Sequence, residues 1–345
     1  MVEEFGAKPV SMYYSFDDIL SRNGVFNFII GGRGIGKTYG AKKIAIDTYL
    51  ETGKQFIYLR RYKSELRTAK TFFDDLAHLY PGYSFRVNGR IFQMKESDDP
   101  NDKEYPWHDM GYLRSLSTAQ TEKSTVYNKV KWIIFDEIIL EKGPTNYLPM
   151  EYEAFINFYF TVDRGNDRVT CLLLSNAVSI NNPYFLAEGI NDDREWCKRK
   201  KGFIVVHFPK SEEFREHINK TRFGQFISNS AYSDYAVNNQ FADNQTDLVE
   251  DKPNNASYKY SLLMNNINLS VWTVNRPDGM YYYVQKKQPK NKVQFTTDLE
   301  NVNNECVYLE RNSSILQGFR GAYNRGRMRF DSPPTRLAAI QAYKR

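Results

Sequence analysis

The stretch Phe26-Asn27-Phe28-Ile29-Ile30 leads directly into Gly31-Gly32-Arg33-Gly34-Ile35-Gly36-Lys37-Thr38, and this junction decides the fold of the 345-residue chain. Its first five residues form a short apolar run, and a helical pattern begins at Lys37. An apolar run, a glycine loop and a helix in this order predict a buried strand that enters a parallel sheet. The loop matches G-x-x-x-x-G-K-[ST] in full, which is the pattern of a phosphate-binding loop.

The loop has the chemistry needed to bind a triphosphate. Glycines let backbone N–H groups point toward phosphate oxygens, and the amino terminus of the following helix adds a positive partial charge. We expect Lys37 to bridge the β- and γ-phosphates and to act in catalysis, and Thr38 to bind Mg²⁺ through its hydroxyl. The residues before the lysine are expected to surround the nucleotide: Gly31, Gly32, Arg33, Gly34, Ile35 and Gly36.

A second apolar run, Lys131-Trp132-Ile133-Ile134-Phe135, ends in two adjacent acids. Asp136 is expected to hold Mg²⁺, and Glu137 to polarise the attacking water as general base. An Asp-Glu pair alone is a weak signal, but it becomes strong beside the Gly31–Thr38 loop. No Asn-Lys-x-Asp motif is present, so the sequence shows no basis for guanine specificity, and ATP is the expected nucleotide.

Further polar residues are expected to complete the site. Asn176 follows the apolar run Val169–Leu174, where open sheets place ligands, and would contact the γ-phosphate or the water; the alternative is a simple turn residue. The adjacent Asp136-Glu137 pair resembles the branch of P-loop ATPases with an additional catalytic glutamate, the ring translocases and helicases. Such rings usually add a cation from the next subunit. Arg164 is the first candidate, Arg168 the second and Lys123 an auxiliary one; the alternative for each is an ordinary surface ion pair.

The periodicity over the first 210 residues predicts a parallel sheet with helices on both faces. The expected strands are Phe26–Ile30, Gln55–Leu59, Lys131–Phe135, Val169–Leu174 and Phe203–Phe208. The expected helices are Lys37–Glu51, Leu66–Leu79, Pro149–Val162 and Pro183–Gly189. Asn88-Gly89 predicts a type I′ hairpin within Tyr83–Lys95. We expect an ATPase domain at 1–210, a helical lid and linker at 211–255, and a smaller domain at 256–345 that opens with the β-prone runs Tyr258–Met264, Leu269–Val274 and Met280–Gln285.

The net charge of +6 is unevenly distributed. Residues 311–345 contain eight Lys and Arg and one Asp, which gives +7 and leaves −1 for the first 310 residues. Four aromatic residues in this tail predict stacking on nucleic-acid bases, although a solvated basic face would explain the charge as well: Phe319, Tyr323, Phe330 and Tyr343. No apolar stretch reaches the roughly 18 residues of a membrane span. Three isolated cysteines fit a reducing compartment and no zinc site.

The Gly31–Thr38 loop, Trp132–Glu137, the Leu172–Ala177 strand end followed by Asn182–Phe185, and the Arg164 loop together resemble the genome-packaging (encapsidation) ATPases of phi29-type small tailed phages, relatives of terminase large subunits. The resemblance covers the first 210 residues well. It implies an ATP-driven motor that moves double-stranded DNA into a preformed capsid. It also implies a homopentameric ring in the host cytoplasm, transiently at the portal vertex, with the portal, the prohead and a packaging RNA as partners.

In the larger terminases the second domain is an RNase H-like nuclease, whose chemistry needs several converging carboxylates. Here the predicted meander has Asp278 in a turn and Asn265, Asn266 and Asn268 instead of strand acids. We therefore expect a vestigial, nuclease-inactive α+β domain that binds nucleic acid or the portal. Alternatives are another P-loop DNA or RNA translocase or helicase, or a terminase-like ATPase with an active nuclease. A small-molecule kinase is less favoured because nothing in the sequence resembles an Arg-rich lid that closes on phosphates, and an ATP-switched scaffold is less favoured because a switch does not need a base such as Glu137.

Overall fold

The computed structural model describes residues 13–122, 125–140, 146–176, 182–190, 194–210, 212–227, 248–264, 267–287, 293–310, 312–332, 335–336 and 338–339. They fall into two compact units. The first lies within 1–180 and 192–242, and the second within 181–191 and 243–345. Among the described helices, none combines the length and the apolar character needed to span a membrane.

The first unit is built on a sheet of nine strands. These are β1 (Phe26–Gly31), β2 (Gln55–Arg60), β3 (Ser84–Asn88), β4 (Ile91–Lys95), β5 (His108–Ser115), β6 (Val130–Asp136), β7 (Thr170–Asn176), β8 (Trp196–Arg199) and β9 (Ile204–His207). Their order is β3-β4-β5-β2-β6-β7-β1-β9-β8. The six central strands β5, β2, β6, β7, β1 and β9 run parallel to one another, and β3, β4 and β8 are antiparallel to their neighbours. The carboxyl ends of β1, β2, β6 and β7 therefore share one edge of the sheet.

Helices cover both faces of this sheet. Among the described residues, the helices of the first unit are α1 (Asp17–Leu20), α2 (Lys37–Thr52), α3 (Glu151–Asp163), α5 (Glu212–Lys220) and α6 (Arg222–Ile227), and those of the second unit are α4 (Pro183–Glu188) and α7 (Ser314–Asn324). Ala41, Ala45 and Ile46 of α2 join a core cluster with strand residues of one face. On the other face, the Phe155 ring of α3 lies 5.3 Å from that of Phe26. Because both faces are packed, every residue of β1 is buried.

The five predicted strands of the first unit are present, but two local predictions are wrong. Leu66–Leu79 is not an α-helix: Lys63–Thr71 and Ala77–Leu79 form 3₁₀ turns. The buried residues of the first stretch are Leu66 and Ala69, three apart, a spacing that matches the three residues per turn of a 3₁₀ helix. The β3–β4 hairpin is present, but in its two-residue loop only Gly89 has a positive φ, of 61°. This is typical of a type II′ turn, whereas type I′ needs two such residues.

The second unit contains a six-stranded sheet. Its strands are β10 (Ser257–Met264), β11 (Ile267–Arg276), β12 (Gly279–Gln285), β13 (Gln294–Thr296), β14 (Cys306–Tyr308) and β15 (Met328–Phe330), in the order β14-β13-β10-β11-β12-β15. The strands β10, β11 and β12 form the predicted antiparallel meander. Parallel pairs join β13 to β10, β14 to β13 and β15 to β12.

The aromatic residues of the basic tail do not form the stacking surface that we expected. Phe319 of α7 is 1% exposed and Phe330 of β15 is fully buried, and both belong to the core of the second unit. Tyr323 packs against the same core, while Tyr343 lies outside the described residues. The tail is amphipathic, and its apolar face is needed to cover the sheet. Sequence spacing in a helix with basic residues could not separate the two roles.

Candidate active site

The loop between β1 and α2 has a backbone that only glycine adopts easily. Gly34 and Gly36 have φ of 80° and 85°, in the left-handed region. A Cβ on Gly36 would lie 2.8 Å from the Tyr13 ring, so a side chain is excluded there by space as well as by conformation. The loop ends at Lys37, the first residue of α2. Its backbone thus approaches the amino terminus of a 16-residue helix, which favours an anion at this point.

Lys37 lies at the centre of this loop and is 7% exposed. Its Nζ donates to the carbonyl oxygens of Gly31 at 3.0 Å and Gly32 at 2.6 Å, and to Asn176 Oδ1 at 3.3 Å. Burial lowers the pKa of Lys37 to about 8; nearby Asp136 opposes this shift and Arg33 adds to it. The Lys37 ammonium is thus bound by neutral carbonyl oxygens, and a negatively charged phosphate would be a stronger acceptor for it.

Thr38 and Asp136 are brought together from α2 and the end of β6. Thr38 Oγ1 donates to Asp136 Oδ2 at 3.0 Å, and the Tyr58 hydroxyl donates to the same oxygen at 2.8 Å. Burial and the neighbouring Asp136 raise the pKa of Tyr58 well above its usual value, so its hydroxyl remains a donor. A hydroxyl and a carboxylate in contact are the hard oxygen ligands that Mg²⁺ prefers. Their chemistry therefore fits this metal.

Glu137 follows β6 in an unusual backbone conformation. Its φ is 59°, which costs a non-glycine residue about 1–3 kcal/mol. Its side chain is 64% exposed, and one carboxylate oxygen accepts a hydrogen bond from Arg60 at 2.6 Å. Arg60 is also bound to Glu65, at 3.1 Å. The Glu137 carboxylate is thus accessible to solvent and is paired with a cation from the neighbouring strand.

A cavity of about 990 Å³ opens over these residues. Its lining includes Gly34, Lys37, Thr38, Asp136, Glu137 and Asn176, together with Tyr13 and Tyr39. Three aromatic residues precede the loop in the sequence. Phe16 is buried in the core and the Tyr14 hydroxyl is hydrogen-bonded to His207, whereas Tyr13 is 40% exposed. This volume lies in the range of ligand pockets and is large enough for a nucleotide.

Arg164 lies far from this cavity, at the opposite edge of the sheet. It caps the carboxyl end of α3 with a φ of 55°, ahead of the first residue of β7, whereas Asn176 is the last. At ~3.3 Å per residue, β7 separates the two edges by about 20 Å. Arg164 is exposed, and its side chain has no hydrogen bond or ion pair within the described part of the chain.

Arg168, the second candidate, is hydrogen-bonded within its own chain. Its guanidinium donates to the carbonyl oxygens of Val130, at 2.6 Å, and Val162, and so ties the loop before β7 to the neighbouring strand and helix. Lys123 lies outside the described residues. The structure thus brings Lys37, Thr38, Asp136, Glu137 and Asn176 to one edge and places Arg164 at the other.

Known proteins similar to this chain identify one family. Residues 9–345 match the family model described as Podovirus DNA encapsidation protein (Gp16). The chain belongs to this family. It is similar to the DNA packaging protein of Bacillus phage phi29, with 34% identity over 337 residues, 97% of this chain and 98% of that protein. Its identity to the DNA packaging protein of Bacillus phage B103 is 31% over 329 residues, 95% and 99% of the two chains.

Solved structures of this Gp16 family have the same fold. The bacteriophage Phi-29 viral genome packaging motor assembly contains a chain with a TM-score of 0.69 and 30% identity, over 96% of this chain and 99% of that one. The N-terminal domain of the DNA packaging ATPase from bacteriophage phi29 gives a TM-score of 0.52 at 38% identity, over 59% and 98%. The family resemblance expected from the motifs is confirmed, and so is a mixed α/β fold with a large, mostly parallel sheet.

Two residues of this Gp16 site were not assigned a role from the sequence. Tyr58 lies in an apolar run, and Arg60 begins a basic stretch with Arg61, Lys63, Arg67 and Lys70 that by charge alone would suit nucleotide, DNA or a solvated helix face. Arg60 instead binds carboxylates of the site, and Arg61 is 1% exposed. No sequence motif marks these two residues, because it is the pairing of β2 with β6 that places the carboxyl end of β2 beside Asp136 and Glu137.

Proposed function

We propose that this protein is the ATPase that drives double-stranded viral DNA into a preformed capsid. The observation that carries the proposal is the contact of Thr38, from the loop and α2, with Asp136, next to an exposed Glu137. This arrangement provides a phosphate cradle, oxygen ligands and a base at one edge of the sheet. Membership of a DNA encapsidation family supports DNA as the polymer that is moved.

In this mechanism the loop amides and Lys37 bind the triphosphate, and Lys37 exchanges the carbonyl oxygens of Gly31 and Gly32 for phosphate oxygens. Thr38 and Asp136 would hold Mg²⁺, which neutralises charge on the phosphates. Glu137 leaves Arg60, orients a water and accepts its proton as the water attacks the γ-phosphorus. The bond between the γ-phosphorus and the β–γ bridging oxygen breaks in the same reaction, so that ADP leaves and phosphate is formed. Asn176, already bonded to Lys37 Nζ, is placed to contact the γ-phosphate.

Arg164 would act in a neighbouring copy. Because about 20 Å of β7 separate its edge from the cavity of its own chain, it reaches a nucleotide only across a subunit interface. We therefore propose a homo-oligomeric ring in which Arg164 stabilises charge on the transferring phosphoryl group of the next subunit. A packaging motor assembly among the similar structures supports a ring. A pentamer, the portal and prohead, a packaging RNA and a transient location at the portal vertex in the host cytoplasm are the further parts of this proposal.

Two variants, compared with the wild type, test the mechanism. We expect double-stranded DNA to stimulate ATP hydrolysis by the wild type, and Glu137→Gln and Arg164→Ala each to abolish turnover while a fluorescent ATP analogue still binds. Mixing the two inactive variants should restore part of the activity, because an interface has both intact groups where an Arg164→Ala subunit supplies Glu137 and a Glu137→Gln subunit supplies Arg164. Unchanged turnover in Arg164→Ala, or no recovery in the mixture, would remove Arg164 from the site. A wild type without ATPase activity would refute the function itself.

For the second unit we propose an RNase H-like, nuclease-inactive domain that binds nucleic acid or the portal. A meander with two parallel strands added on the β10 side supports the fold. None of the six strands contains Asp or Glu, and the described residues hold no cluster of three metal-ligating side chains. Incubation of plasmid DNA with the protein and Mg²⁺ or Mn²⁺ should give no cleavage. Cleavage that is lost on substitution within residues 256–345 would contradict this proposal.

The domain boundaries of 210 and 256 belong to the same proposal. If residues 211–255 form a lid and linker between two domains, limited proteolysis should cut there first and leave two resistant fragments. A single resistant fragment that spans residues 211–255 would argue against these limits.

A further inference from the structure

Arg61 is a buried cation next to the site that the mechanism above does not use. Its side chain is 1% exposed and that of its partner Glu151 is 0% exposed. Arg61 Nε lies 3.0 and 2.8 Å from the two carboxylate oxygens of Glu151, the first residue of α3. The rest of the guanidinium points elsewhere: one terminal nitrogen donates to the Glu137 carbonyl oxygen at 3.0 Å, and the other to that of Ile138 at 2.6 Å.

Stability alone is a weak explanation for this pair. Removing two charges from water is costly, and apolar residues of similar volume often replace a buried ion pair without loss. What an apolar pair cannot do is bind two consecutive carbonyl oxygens in a fixed geometry. A planar guanidinium does so because its donors form a rigid fork. The contacts of Arg61 are thus directed at the main chain of the proposed base and of the residue after it.

The two consecutive arginines hold different parts of one residue. Arg60 binds the carboxylate of Glu137, and Arg61 binds its backbone carbonyl. The backbone of Glu137 has a φ of 59°, a conformation that persists in a non-glycine residue only when its surroundings impose it. Ile138 is fixed from the other side, since its N–H donates to the Leu174 carbonyl at 3.1 Å. The main chain at the base is therefore clamped between β2, β7 and the start of α3.

We propose that Arg61 is a positioning residue for Glu137. It fixes the backbone of the base to Glu151, so that the carboxylate turns from Arg60 to the attacking water about a main chain that does not move. This rests on the proposed ATPase function and adds to it a residue that touches neither nucleotide nor metal. Loss of the clamp displaces the base, and a displacement of about 1 Å is enough to cost on the order of 10²-fold in rate.

The test is Arg61→Lys, which keeps the charge but loses the fork. We expect kcat to fall by about 10²-fold while KM and the Kd of a fluorescent ATP analogue change by less than about threefold. Glu151→Gln, which keeps the shape and one acceptor, should be intermediate in kcat and Glu151→Ala close to Arg61→Lys. Arg114→Lys is the matched control: Arg114 donates to the carbonyl oxygens of Arg90 and Leu113 and to Tyr127 in the same unit, and this variant should keep the wild-type kcat.

Thermal melting of all four variants separates position from folding. If Arg61→Lys and Arg114→Lys lower the melting temperature equally and also lower kcat equally, Arg61 has only a structural role. If Arg61→Lys does not fold, Glu151→Gln still decides, since wild-type kcat in that variant overturns the proposal. A wild type that hydrolyses ATP and is inactivated by Glu137→Gln, together with an active Arg61→Lys, would refute the role of Arg61 alone and leave the function standing.

Discussion

Replacing Tyr58 by Phe removes one oxygen from the network that holds Asp136. The Tyr58 hydroxyl donates to Asp136 Oδ2 at 2.8 Å, where Thr38 also donates at 3.0 Å and an Arg60 nitrogen lies at 3.9 Å. Tyr58 is 7% exposed, so no bulk water replaces the lost donor. The variant therefore leaves both proposed magnesium ligands in the chain and removes only the group that orients one of them.

The magnitudes follow from the charge of the acceptor. A hydrogen bond to a charged group contributes about 1.5–3 kcal/mol to the free energy of unfolding, and we expect the low end because Asp136 keeps two other partners. Loss of an outer partner of a metal ligand commonly weakens metal binding by about 10- to 100-fold. We expect the Mg²⁺ concentration for half-maximal ATPase activity to rise by at least about tenfold on the same basis.

Tyr112→Phe is the matched control for this experiment. It makes the same chemical change in the same unit, where the Tyr112 hydroxyl donates to Gln55 Oε1 at 3.2 Å, a neutral acceptor away from the cavity. Its cost should be about 0.5–1.5 kcal/mol with no change in the Mg²⁺ requirement. ATPase activity titrated with Mg²⁺, together with urea unfolding, measures both quantities. Equal Mg²⁺ requirements for the two variants would refute the reasoning that Tyr58 orients a metal-binding carboxylate.

Three further predictions concern other parts of the chain. Gly36→Ala should abolish binding of a nucleotide analogue, because φ at Gly36 is 85° and Tyr13 occupies the space that the new methyl group needs. Gly53→Ala is the control: φ is 68° with open space around it, so this variant should lose about 1–2 kcal/mol of stability and bind the analogue normally. Equal binding by the two variants would contradict this prediction. Burial, and secondarily Arg22, lowers the pKa of His207 to about 4 in the folded protein. As the pH falls from 6.5 to 4 the unfolded chain therefore binds a proton at His207 before the folded chain does, and stability decreases in that window. His207→Gln should remove this part of the loss of stability in denaturant titrations, and an unchanged dependence of stability on pH would exclude the role of His207. Phe319→Ala should cost about 3–5 kcal/mol as a core deletion, while Phe319→Leu should keep DNA binding in filter assays; weaker DNA binding without loss of stability would restore the stacking role.

The motif region was predictable almost to the residue because its structure is set locally. The predicted strand Phe26–Ile30 and helix Lys37–Glu51 correspond to Phe26–Gly31 and Lys37–Thr52 in the structure. A continuous apolar run can be buried on both faces, and the glycines permit the positive φ values that join it to the helix. None of these determinants depends on a distant partner, so the sequence pattern is sufficient.

Elements set by distant partners were not predictable in this way. Strand β5 (His108–Ser115) has neither a continuous apolar run nor regular alternation, and it is defined by parallel pairing with β2, more than 50 residues earlier. Strand β8 (Trp196–Arg199) is only four residues long and contains two basic residues, and it is defined by pairing with β9. The pairing of a strand is a non-local property, which hydrophobic periodicity does not report.

The active site shows the same division between local and non-local information. Lys37, Thr38, Asp136 and Glu137 are recognisable because each belongs to a contiguous motif. The residues that hold them come from the end of β2, which parallel pairing places beside the end of β6. Strand alternation then assigns their roles, since residues two apart share a face. This explains why Tyr58 and Arg60 both reach Asp136. Arg61 is the first residue after β2, and it binds the main chain and Glu151. Residue type predicts a charge, but the position relative to the end of the strand decides whether the side chain binds the carboxylate of Glu137, as Arg60 does, or its backbone carbonyl, as Arg61 does.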